Sequence, residues 1–126
     1  MNWQLASVDA WVGIEWKTEC AGGDLSQINE ARKALVRRIL EGAGEASPTL
    51  RQAAFHNSGL AGPQGALVDK VAKRAYRVTD DDIASVRMSG LSEDQVFEIV
   101  VCAAVGQATR QCDAALTALE AAARKA

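Results

Sequence analysis

The sequence predicts an all-α protein. Three observations carry that reading. Alanine occupies 24 of 126 positions, aromatic residues make up only 5%, and there are just two prolines. Alanine has the strongest helix propensity, whereas strands draw on β-branched and aromatic side chains. Apolar residues then recur at helical spacing along most of the chain, with capping residues where each run begins. At this length one hydrophobic core suffices, and the expected organisation is an N-terminal arm over residues 1–23 and a single helical domain over 24–126.

The arm is the least regular part. Val8, Ala10, Val12, Ile14 and Trp16 alternate with Asp9, Trp11, Gly13 and Glu15, which is a strand-like period, though a short helix is also compatible. All three tryptophans, Trp3, Trp11 and Trp16, fall here. Such area must be buried, either on the arm's own subunit or across a subunit boundary. The three are therefore candidate interface residues. Ala21-Gly22-Gly23 then breaks the chain.

The first helix follows Asp24 or Ser26, either of which can cap it. Its apolar stripe is Leu25, Ile28, Ala31, Leu35, Ile39 and Leu40, opposite Arg32, Lys33, Arg37 and Arg38. Gly42 and Gly44 end it. Ser47-Pro48 starts a short helix to about His56, because a proline at the first helical position loses no needed N–H. Asn57-Ser58-Gly59 closes it, and Gly62-Pro63 opens the next helix. That one carries Leu67, Val68, Val71, Ala72 and Ala75 inward and fades near Tyr76.

Thr79 and Asp82 resemble a capping box at the start of another short helix. Ile83, Val86 and Met88 are expected to face inward, and Gly90 to end it. Ser92 and Gln95 form a capping box outright, and Leu91 with Val96 a hydrophobic staple. The last helix runs from Glu93 towards Lys125, with Val96, Ile99, Val100, Ala103, Ala104, Leu116 and Leu119 as its apolar face. Gly106 weakens its middle by about 1 kcal/mol relative to alanine, so a bend or a close helix contact is expected there.

The stretch from Leu67 to Leu116 carries Val78-Thr79-Asp80-Asp81-Asp82-Ile83, then Val86-Arg87, then Gly90-Leu91-Ser92-Glu93-Asp94-Gln95-Val96. Arg110, Asp113, Ala114 and Leu116 follow. This pattern resembles the carboxy-terminal half of the peroxidase-related branch of the carboxymuconolactone decarboxylase and alkylhydroperoxidase D-like superfamily. The resemblance spans about 50 residues and consists mainly of helix-cap chemistry. It implies an alkylhydroperoxidase D-like helical bundle that assembles as a homo-oligomer. The family's peroxidases work through a Cys-x-x-Cys pair with a glutamate and a histidine as proton relay. No Cys-x-x-Cys occurs in this chain, so the resemblance transfers no catalytic residue.

The chemistry-bearing residues are few. Cys20, Cys102 and Cys112 are odd in number and widely spaced, which fits reduced thiols in the cytoplasm. Ten residues along one helix separate Cys102 from Cys112 by about 15 Å, too far for a disulfide. Glu98 stands one turn before Cys102 and so could set a carboxylate beside that thiol. His56 is the sole histidine and the one side chain whose ordinary pKa lies near neutrality. His56, Glu98 and Cys102 are thus the candidate catalytic residues, each with a bland alternative as helix-end, surface or core residue. One histidine and three scattered cysteines offer no zinc-ligand spacing, and no metal or cofactor is expected.

Lys70, Lys73, Arg74 and Arg77 form a basic stripe, best read as a solvated helix face. The net charge of −2 and the absence of interleaved aromatics argue against nucleic acid. The longest apolar run, Ile99 to Gly106, is too short to span a bilayer, and no membrane partner is expected. The expected function is that of a non-catalytic or degenerate alkylhydroperoxidase D-like protein, acting through oligomeric assembly or an unidentified protein partner. The alternative is an enzyme of the superfamily, decarboxylase-like or peroxidase-related, using His56, Glu98 or Cys102 in a small pocket.

Overall fold

The computed structural model describes the backbone of residues 25–125 and the side chains of residues 27–125. The arm, with Trp3, Trp11 and Trp16, and the candidate caps Asp24 and Ser26 lie outside them. The described residues are helical, with no strand among them: α1 Leu25–Glu41, α2 Pro48–His56, α3 Gly62–Arg74, a 3-10 turn Ala75–Arg77, α4 Asp80–Met88 and α5 Glu93–Lys125. The described residues fall in two units, divided between Ala34 and Leu35. In the first, the start of α1 carries an exposed Glu30–Lys33 pair at 3.7 Å.

The second unit is built on α5. Its buried Val96, Ile99, Cys102 and Ala103 meet Ala54 and Phe55 of α2, Leu67 and Val68 of α3 and Val86 of α4. Full burial of each large aliphatic side chain contributes about 1.5–3 kcal/mol. On α1, Val36, Ile39 and Leu40 are half-buried against this core. Leu35, expected on that stripe, is half exposed, because Val36 lies on the same face as Ile39 and Leu40 and takes the inward position.

The helix boundaries follow from capping. Ser47 Oγ accepts the Leu50 N–H at 3.2 Å, with Pro48 in the first turn. Asn57 closes α2 in the left-handed region at φ 51°. Thr79 Oγ1 accepts from Asp82 N–H at 3.3 Å while Asp82 Oδ2 accepts from Thr79 N–H at 2.9 Å. Ser92 and Gln95 reciprocate in the same way, at 2.8 and 3.2 Å. Val96 is part of the buried core and Leu91 is half-buried against it.

Gly106 marks a close approach. A Cβ there would collide with the backbone carbonyl of Phe55. Arg110, one turn further along α5, donates from Nη1 to that same carbonyl at 2.6 Å. The glycine thus lets α5 run against the end of α2, and the arginine satisfies a carbonyl that the helix leaves without an internal partner.

Several inward expectations fail: Ile28, Ala31, Ala75 and Ala104 are exposed, as are Met88 and Leu119. Met88 is 88% exposed, since α4 is short and ends there, with Val86 filling the core site. Leu119 is 66% exposed, because α5 outruns the helices packed on its first half. Every described residue beyond position 110 on α5 except Leu116 is exposed.

Candidate functional site

The site begins at the end of α1, where the backbone carbonyls lose their helical donors. The loop Gly42–Ala46 follows, then α2. Arg51, on the inner face of α2, is only 5% exposed. Its Nη1 donates to the carbonyls of Ile39 at 3.1 Å and Gly42 at 2.7 Å. One guanidinium nitrogen thus closes the C-terminal end of α1.

Glu98, in the second turn of α5, grips the same loop from the other side. Its Oε1 accepts the Glu45 N–H and its Oε2 the Ala46 N–H, each at 2.7 Å. Successive backbone N–H groups make such loops natural anion cradles. The approach requires Gly44, where a Cβ would stand 2.9 Å from both carboxylate oxygens. Gln95 adds a third hold, donating to the Glu45 carbonyl at 3.2 Å.

Between these anchors lies a half-open cavity of about 350 Å³. Leu35, Ile39, Ala43, Phe97 and Val101 give it apolar walls, with Arg38, Arg51, Glu98 and Cys102 as polar members. The Cys102 thiol is buried, with Sγ 4.0 Å from the Ile39 carbonyl. Burial pushes its pKa up and the Glu98 carboxylate adds to the rise, while Arg51 opposes both. A thiol so placed is largely protonated at neutral pH and a poor nucleophile.

Of the three candidates read from the sequence, the cavity brings together Glu98 and Cys102. His56 is exposed at the end of α2, its ring edge-on to Phe55 at 5.1 Å, and takes no part in the cavity. Cys102 and Cys112 both lie on α5 as free thiols, one buried and one exposed. Lys70 pairs with Asp82 and Lys73 with Asp69, each at 2.8 Å, so half of the basic stripe serves ion pairs. Among the described residues no three His, Cys, Asp or Glu side chains gather as a metal site, and no helix is long and apolar enough to cross a membrane.

Arg51 is the site residue that sequence reasoning missed. The signal was its position: Ala54 and Phe55, three and four residues on, share its helix face and are buried.

Comparison with protein-family models, curated proteins and solved structures gives no match to the chain.

Proposed function

We propose that this chain is a non-catalytic member of the alkylhydroperoxidase D-like superfamily that acts through homo-oligomeric assembly or partner binding. The single observation behind this reading is the use made of Glu98. The carboxylate that stands nearest the buried thiol spends both oxygens on the Glu45 and Ala46 N–H groups. It serves as a loop anchor. Proton transfer would require it to release a short charge-assisted hydrogen bond. Cys102 has no Cys-x-x-Cys partner, and its raised pKa works against thiolate chemistry. Exposed Phe97, Met88 and Leu119 supply apolar surface for assembly. The free thiols Cys102 and Cys112 agree with a reducing compartment such as the cytoplasm.

The test is peroxide reduction coupled to dihydrolipoamide or thioredoxin, with light scattering on the same sample. An oligomer without turnover is the expected result. Turnover abolished by Cys102→Ser would overturn the proposal.

A second reading, an enzyme of the superfamily, is favoured by the cavity itself, which sets Glu98 and Cys102 on one wall beside Arg51. It requires a substrate whose turnover is lost in Glu98→Gln without loss of folding.

A further inference from the structure

We propose that the cavity around Arg51 binds a carboxylate bearing an apolar tail, with the carboxylate accepting from Nη2 of the guanidinium. The proposal goes beyond the assembly reading and does not rest on it.

The guanidinium is asymmetrically used. Nη1 serves two backbone carbonyls. Nε is buried and has no hydrogen-bond partner, and among the described residues nothing accepts from Nη2. Buried polar groups are almost always satisfied, so an orphaned donor on a residue this enclosed calls for an acceptor. Nε is closed to solvent, so Nη2 is the nitrogen left to make a charge-assisted hydrogen bond to a carboxylate. The same arginine lines the cavity, which gives an incoming group a route to Nη2.

Charge and shape define the rest of the ligand. The Glu98 oxygens are both committed to backbone N–H groups. Arg38 stands on the cavity wall with Arg51, so two cations face one anchored anion. Apart from the buried Cys102 thiol, the remaining lining of Leu35, Ile39, Ala43, Phe97 and Val101 is apolar and suits an apolar tail. A volume of about 350 Å³ is at the small end for ligand sites, which suits an acid of medium length. The bound acid also covers Phe97 and Leu35, which are exposed without it.

The experiment uses the full chain and two probes, carboxyl-labelled octanoate and 1-octanol, followed by NMR titration. Octanoate is expected to saturate one site per chain and to show contacts with the Phe97 ring and the Val101 methyls. Its carboxyl resonance should titrate at lower pH when bound than when free, because the arginine favours the anion. Octanol is expected to bind more weakly by about tenfold or more, the effect of one charge-assisted hydrogen bond. Arg51→Lys keeps the charge but loses Nη2, and should weaken octanoate by a similar factor while leaving octanol unchanged. Because Arg51 also holds α1, Val101→Asp provides a second variant. It sets a carboxylate in the wall and should abolish octanoate binding with the fold intact. Equal affinity for octanol and octanoate would overturn the proposal. So would no saturation up to about 1 mM, the result expected if a second copy of the chain occupies the cavity instead.

Discussion

Glu98 and Ala46 are 52 positions apart, and the Glu98 Oε2 accepts the Ala46 N–H at 2.7 Å. With the matching bond from Glu45, one carboxylate fixes the loop that leads from α1 into α2. Glu98→Gln keeps the size but replaces one acceptor oxygen by a donor, which then faces a backbone N–H. The expected cost is about 1–3 kcal/mol, the penalty for an unsatisfied donor at a half-buried site. Urea denaturation followed by circular dichroism measures it. An unchanged midpoint would remove the anchor role and return Glu98 to the list of groups available for chemistry.

Gly106 tests the contact between α5 and α2. In an isolated helix Gly106→Ala would add about 1 kcal/mol. Here the new methyl meets the Phe55 carbonyl, a backbone atom that no rotamer change can move aside. Overpacking of this kind costs about 1–3 kcal/mol, so the variant should be less stable despite its better propensity. Thermal unfolding decides the sign. A rise in midpoint would mean that the helices separate easily at this crossing.

The helices were legible because their signals are local. Ser47-Pro48, Thr79 with Asp82, and Ser92 with Gln95 each announce a helix start within four residues, and each cap forms. Gly106 was legible as an anomaly, though its partner Phe55 was not. The site was harder to read. Glu98 and Cys102 stood out by residue type, but the role of Glu98 depends on backbone N–H groups at positions 45 and 46, which have no sequence signature. Arg51 went unread because a buried arginine is rare and its partners are carbonyls. Leu119 and Met88 were misplaced because periodicity gives a helix its apolar face without saying whether anything covers that face.

Asp82 predicts a specific acid sensitivity. The hydrogen bond from Lys70, then that from the Thr79 N–H, hold its carboxyl below the ordinary value. The folded protein therefore favours the carboxylate more than the unfolded chain does. Stability from this group is fully present above the unfolded value of about 3.9 and is lost as pH falls through the lower folded value. Asp82→Asn should be less stable than the parent at pH 7, and the gap should close as the pH falls below about 3.9. Parallel stability curves for the two proteins across that range would refute the Lys70–Asp82 linkage between α3 and α4.

The last prediction concerns the far end of α5. From Gln111 to Lys125 the helix carries Ala114, Ala115, Leu116, Ala118 and Leu119, with all of these except Leu116 exposed. A helix of about 15 residues is marginal in water without packing on its apolar face. The low polarity of this face and its alanine-rich surface suit close contact with another helix, and the assembly reading assigns it to a second copy of the chain. Burying one leucine contributes about 1.5–3 kcal/mol, and a symmetric pair contributes it twice. Leu116→Glu with Leu119→Glu should therefore shift the protein to a smaller species in light scattering and lower its helical circular dichroism signal together. A monomeric parent would exclude the second copy. An oligomeric parent unchanged by the double substitution would place the interface elsewhere, with exposed Phe97 the next residue to replace.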